Sequence, residues 1–302
     1  MKQKNMKSQR AKEGGEDKYY TKQYIADYVT NYTFDFLDIK DSKIIEPAAG
    51  SGIFYNSFLK VTNKNNIKLY DINPEHPKIK KMDFFNLYDI KDTDIIITNP
   101  PFGYMSSLAI KFFNHAASFN VKYICFIIPK TFRKASIQNK LNINYVLKKD
   151  LELPLNSFTL YGESYDVPCC YQIWEYKPNT RTIIKPETCE WVQVVDKKNS
   201  PDICIRRTGG RAGQVLDGLE HTESSSLFFK IKKDYDLVIK AFNLMNIEKY
   251  INNTAGVRSI SKNEIFLEIN RIMLILTKTT ETLKKPITEI DNESKNIEFN
   301  DF

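Results

Sequence analysis

From residue 43 onward, short apolar runs alternate with longer stretches in which apolar residues recur every three or four positions. Residues 43–46, 67–70, 94–98 and 123–128 are compact apolar runs of strand length. Between the last two, residues 106–119 place Leu108, Phe112 and Ala116 on one helical face, and residues 54–61 also carry helical spacing. Strands alternating with helices predict parallel βαβ units. Upstream, Tyr24, Ile25, Tyr28, Val29 and Tyr32 predict an amphipathic helix within residues 19–36, with Thr21 as its N-cap. Downstream, residues 158–160 and 170–176 flank Gly162-Glu163 and predict a closing hairpin.

Beyond Pro178 the alternation stops. Residues 180–230 predict short strands and loops around the glycine-rich turn Thr208-Gly209-Gly210-Arg211-Ala212-Gly213. Residues 235–250 and 261–276 predict helices, the second opened by a Ser261/Glu264 capping box. Four segments follow: a disordered arm over 1–17, a main domain over 18–178, a C-terminal target-recognition region over 179–284 and a loose tail over 285–302.

The composition narrows the class. A chain of 302 residues can bury one substantial core and a smaller second unit. A net charge of +7 permits nucleic-acid binding, although a solvated lysine-rich surface explains it equally well. Five cysteines without a C-x-x-C pair, and three histidines, argue against a structural zinc site. Cys169-Cys170 lies in an apolar run and is expected as buried free thiols. The first eighteen residues are polar and no apolar run spans a bilayer, so a soluble cytoplasmic protein is expected.

Chemistry gathers at the strand ends. Glu46-Pro47-Ala48-Ala49-Gly50-Ser51-Gly52 closes the first strand, where glycines allow a tight turn and close approach of a ligand. Asp71, at the end of the next strand, is placed to accept ribose hydroxyls. Phe54 and Tyr55 stand where a dinucleotide fingerprint has its third glycine, which disfavours NAD and FAD. A nucleoside without phosphates fits better, and S-adenosylmethionine is the leading candidate. Asp83 and the neighbouring Phe84 are placed to meet an adenine amino group and ring, although a solvated loop is the alternative.

The third strand ends in Asn99-Pro100-Pro101-Phe102. An amide, a carbonyl fixed between rigid prolines and an aromatic ring suit a grip on a flat, amino-bearing group. Alone, the run reads as a strand-ending turn; after the glycine loop and acidic strand end it reads as a site.

Glu46-Pro-Ala-Ala-Gly-Ser-Gly52, Tyr70-Asp71-Ile72-Asn73-Pro74, Asp83-Phe84-Phe85 and Asn99-Pro-Pro-Phe102 resemble, in order and spacing, the motifs of the N6-adenine methyltransferases. The leading Tyr19-Tyr20-Thr21-Lys22 is similar to their cofactor-flanking motif, which gives a gamma-like motif order. The resemblance covers roughly residues 19–176. It implies a Rossmann-like α/β class I methyltransferase domain, a mainly parallel sheet closed by an antiparallel hairpin, with a small C-terminal α+β appendage. It further implies S-adenosylmethionine held by Tyr20, Thr21, Glu46, Pro47, Ala49, Gly50, Gly52, Asp71, Ile72, Asp83, Phe84 and Asn99, with Asn99 and Pro100 accepting from the target amine.

Phe102 would stack on the target base and Phe158 would meet its other face, unless Phe158 is a core residue. Two basic clusters, Lys130 with Arg133 and Lys134, and Arg206, Arg207 and Arg211, could hold a phosphate backbone or be solvated loops. DNA is the expected partner and RNA the alternative, with a partner subunit or homodimer left open. A protein-glutamine target, known in the same motif group, sits less well with the basic charge. The rival reading from another class is a non-catalytic nucleic-acid-binding subunit that retains the fold.

Overall fold

The structure, a computed structural model, describes residues 19–39, 42–160, 162–216, 221–254 and 256–284. The expected arm and tail fall outside the described residues. The chain divides into two compact units, Met1–Ile184 with Asn253–Gly256, and Lys185–Asn252 with Val257–Phe302.

In the first unit the elements are β1 (Tyr20–Thr21), α1 (Gln23–Phe36), β2 (Ile44–Glu46), α2 (Ile53–Phe58), β3 (Ile67–Asp71), β4 (Lys80–Lys81) and β5 (Ile95–Thr98). They continue as α3 (Ser107–Ala117), β6 (Tyr123–Pro129), α4 (Ala135–Gln138), β7 (Tyr145–Glu152), β8 (Phe158–Leu160), β9 (Glu163–Tyr165) and β10 (Cys169–Tyr176). Seven strands form one sheet in the order β4-β3-β2-β5-β6-β10-β7. The first five run parallel, while β10 lies antiparallel between β6 and β7. This is the class I methyltransferase arrangement of the Rossmann-like fold. Every residue of β5 and β6 is buried, as expected for parallel strands covered on both faces. Winding reverses between β2 and β5, so ligands should bind at the carboxyl ends of these two strands.

The closing strands differ from those expected. β10 pairs with β7, which the sequence pattern did not reveal, whereas Phe158–Leu160 pairs across Gly162 with β9 and, on its other side, with β1. α1 forms as expected, but its inward face includes only part of the predicted stripe. Ile25, Ala26, Val29, Thr30 and Thr33 are buried, while Tyr24 and Tyr28 are exposed. Thr33 Oγ1 bonds the Val29 carbonyl at 2.6 Å and meets the Tyr171 hydroxyl at 2.6 Å, so a polar residue fits the buried side. Thr21 does not cap this helix: it belongs to β1, and Lys22 occupies the N-cap position.

In the second unit, β11 (Val192–Val195), β12 (Ile203–Arg206), β13 (Val215–Leu216) and β14 (Ser226–Ile231) form an antiparallel sheet in the order β11-β14-β12-β13. Helices α5 (Tyr235–Asn243), α6 (Glu248–Ile251) and α7 (Lys262–Lys284) follow. Phe229, Phe242, Ile265, Ile269 and Met273 are central to its core. The capping box forms as expected, with Ser261 N–H donating to Glu264 Oε2 at 2.8 Å and Glu264 N–H to Ser261 Oγ at 3.3 Å.

All five cysteines are free and buried, and burial pushes the Cys125 and Cys170 thiols up. Among the described residues no helix is long and apolar enough to cross a membrane, and no cluster of three or more His, Cys, Asp or Glu side chains could hold a metal ion.

Candidate active site

The loop after β2 is tied to the end of β3. Ala49 N–H donates to the Tyr70 carbonyl at 2.9 Å, and Gly50 N–H donates to Asp71 Oδ2 at 2.7 Å. Asp71 Oδ1 accepts from Asn73 N–H at 2.8 Å, so one carboxylate shapes both turns. Gly50 and Gly52 have φ of 51° and 80°, in the left-handed region that side chains rarely adopt. A Cβ on Gly52 would also stand 3.2 Å from His76 Cγ. Tyr20 closes over the loop: its ring lies 3.6 Å from where a Gly50 Cβ would be, and its hydroxyl donates to Glu75 Oε1 at 2.5 Å.

Glu46, last in β2, is buried, and among the described residues its Oε2 has no hydrogen-bond partner. Burial, and the neighbouring Asp71 carboxylate, raise its carboxyl well above the usual range. A proton held more tightly folded than unfolded contributes stability that is present at low pH and lost as pH rises through the raised value. Glu46→Gln should therefore flatten the decline of Tm with rising pH. A Tm that falls as steeply in the variant as in the parent would contradict this assignment.

Asn99 is two residues beyond the last β5–β6 register pair but one, and its orientation follows from its partners. Its Nδ2 donates to the Tyr19 carbonyl at 3.2 Å and to Thr21 Oγ1 at 3.1 Å. A carbonyl can only accept, so the amide nitrogen must face Tyr19. That leaves Asn99 Oδ1 buried with no partner among the described residues. The Pro100 carbonyl likewise receives no backbone N–H among them, whereas the Phe102 carbonyl accepts from Leu108 and Ala109 N–H at 3.1 and 3.2 Å. The half-buried Phe102 ring stacks on Tyr19, with centroids 6.4 Å apart and planes at 24°, and Tyr19 stacks in turn on Tyr165 at 5.4 Å.

Two aromatic assignments are corrected. Phe158 is fully buried in the core as β8 pairs with β1, so it presents no face to a base. Phe84 is also core, packed 5.0 Å from Phe112 and edge-on to His115 at 4.7 Å, so it presents no ring to a cofactor. Asp83 is half-buried and caps the short turn behind it, its Oδ1 accepting from Phe85 N–H at 3.0 Å. Ile72 is exposed beyond β3, while Pro47 and Ala49 are buried.

The basic clusters are corrected in part. Arg133 Nε donates to Asp150 Oδ1 and Oδ2 at 3.0 and 3.1 Å, and its Nη1 to Glu152 Oε2 at 2.7 Å. Lys130 pairs with Glu152 as well. Carboxylates of β7 thus neutralise both cations, and they do not form a free phosphate grip. Arg206 is spent on its own loop, donating to the Thr208 carbonyl at 3.0 Å and Ser225 Oγ at 2.8 Å, while Arg207 and Arg211 are exposed. Sequence pattern did not reveal Tyr19 as the ring beside Phe102, nor Tyr165 as the ring behind Tyr19, although Tyr19 lies within the Tyr19-Tyr20-Thr21-Lys22 segment.

The donor set fits a neutral-edged nucleoside better than a pyrophosphate. Two glycines with positive φ, the Asp71 carboxylate that ties the loop and the unpartnered buried acid Glu46 offer hydrogen-bonding capacity without a positive charge of their own. No curated protein sequence matches the chain. Among solved structures, the type I restriction-modification system methyltransferase subunit from Streptococcus thermophilus is 14% identical, over 85% of this chain and 60% of that one, with a TM-score of 0.41. Magnesium protoporphyrin IX methyltransferase from Synechocystis PCC 6803, solved with bound S-adenosylmethionine, is 12% identical over 51% of this chain and 79% of that one, with a TM-score of 0.40. Residues 51–192, which carry most of the seven-stranded sheet and the Asn99 loop, match the family model of the EDM2 methyltransferase-like domain.

Proposed function

We propose that this chain transfers a methyl group from S-adenosylmethionine to the exocyclic N6 amine of adenine in DNA. The observation that carries the reading is the Asn99 amide, held by Tyr19 and Thr21 so that its oxygen stays buried and open. An adenine amine is a poor nucleophile because its lone pair is delocalised into the ring. Asn99 Oδ1 and the Pro100 carbonyl would accept its two hydrogens and favour a pyramidal nitrogen with the lone pair released. Phe102 would hold the base by stacking, a contact worth about 1–3 kcal/mol.

When bound, S-adenosylmethionine supplies an electrophilic methyl on a sulfonium. Gly50, Gly52, Glu46 and Asp71 would hold it at the end of β2 and β3, with Tyr20 closing over the loop. The residues act mainly by positioning and by excluding water. No strong general base is required, since the amine proton becomes acidic once nitrogen carries the methyl. The family-model match over residues 51–192 and the net charge of +7 support a methyltransferase with a polyanionic substrate.

Calorimetric titration with S-adenosylmethionine and mass analysis of nucleosides from cells expressing the chain, with DNA and RNA digested separately, test the reading together. Cofactor binding and N6-methyladenine in DNA are expected. Binding without any methylated adenine in DNA would overturn the target, and absence of binding would overturn methyl transfer itself.

A further inference from the structure

We propose that Tyr104 and Met105 form a wedge that enters the DNA duplex at the target base pair and fills the gap left by the extruded adenine. The inference rests on the DNA-adenine reading above and extends it to how the base leaves the stack. Tyr104 and Met105 are 85% and 75% exposed, the most exposed large apolar side chains among the described residues. They follow Phe102 across Gly103, just beyond the β5 strand end that carries Asn99.

Their mount is stiff. Gly103, Met105 and Ser106 have φ of 68°, 49° and 63°, an uncommon run for a segment with two side-chain-bearing residues. On one side the Phe102 carbonyl is fixed by the Leu108 and Ala109 N–H groups in the first turn of α3. On the other, Ser106 is buried and its hydroxyl meets Thr131 Oγ1 at 3.1 Å. A Cβ on Gly103 would stand 2.7 Å from Leu108 Cβ, so the turn demands glycine there. Folding gains nothing by holding a tyrosine ring and a thioether out in water on a strained turn. A duplex interior would use both: the ring stacks on a base, and the unbranched methionine adapts to an irregular gap. Apolar wedges between base steps, and extrusion of the base to be modified, are the general solution to reaching an atom inside a duplex.

The test compares native with heat-denatured DNA from one preparation, using labelled S-adenosylmethionine and the full chain. Tyr104→Ala with Met105→Ala should lower kcat/KM on native DNA by about tenfold or more while leaving denatured DNA within about twofold. Tyr104→Trp should stay near the parent on both, because a stacking ring is kept. Equal losses on both forms, or no loss on native DNA, would overturn the wedge. A parent protein that methylates only denatured DNA would overturn it too. A parent that binds cofactor yet methylates neither form would overturn the DNA reading, and the wedge with it.

Discussion

Replacing Asn99 with alanine is expected to reduce methyl transfer about 100- to 1000-fold, the range seen when one preorganised polar group is removed from a reacting centre. The loss should fall on kcat, because Asn99 Oδ1 is buried and unpartnered among the described residues and would serve the amine as it pyramidalises. Cofactor affinity should change little, since Gly50 and Asp71 are organised by bonds of their own. The Tyr19 carbonyl and Thr21 hydroxyl would each lose a donor, costing about 1 kcal/mol of stability. Steady-state transfer rates and a thermal melt on the same preparation check both parts. Undiminished kcat in a folded Asn99→Ala protein would remove Asn99 from the chemistry.

The second large effect is on stability. Asp150→Ala should cost about 2–3 kcal/mol, because it strips the fork from an Arg133 whose side chain is 23% exposed. It would also take the acceptor from Gln172 Nε2, bonded to Asp150 Oδ2 at 2.7 Å, and Gln172 in turn holds the buried Trp174 indole N–H at 3.1 Å. Glu152 remains as a partner of Arg133, which keeps the loss below that of a fully orphaned charge. Adding Arg133→Met should recover part of the loss by removing the uncompensated cation. Urea unfolding of the parent, single and double variants measures this; a single variant as stable as the parent would contradict the network.

These ion pairs also explain where sequence pattern gave out. β5 and β6 could be read because a parallel strand covered on both faces is a near-continuous apolar run, as Ile95, Ile96 and Ile97 are. β7 lies at the sheet edge and carries Lys148, Lys149, Asp150 and Glu152, so no alternation or apolar run marks it. Without β7, nothing placed Asp150 and Glu152 beside Lys130 and Arg133, and the cations looked free. The helix over α1 was legible and Ile25 and Val29 are buried as its spacing implies, but the tyrosine row that resembles a core stripe is not: Tyr24 and Tyr28 are exposed, and small Ala26, Thr30 and Thr33 complete the inward face. Phe84 and Phe158 were assigned to ligands because motif order locates a residue along the chain but not the face its ring turns to. The glycine loop and Asn99 were legible because turns after strands are set locally by glycine and proline. Tyr19 became visible only when β1 brought its carbonyl to an amide 80 positions away.

The central claim is that the Asn99-Pro100-Pro101-Phe102 site methylates adenine N6. Its most direct test incubates the purified full chain with S-adenosylmethionine carrying a deuterated methyl group, and with DNA or RNA in separate reactions, followed by nucleoside mass spectrometry. Deuteromethyl on adenine N6 from the DNA reaction, lost with Asn99→Ala, is the expected result. Label that is absent from adenine, or that persists undiminished with Asn99→Ala, would contradict it.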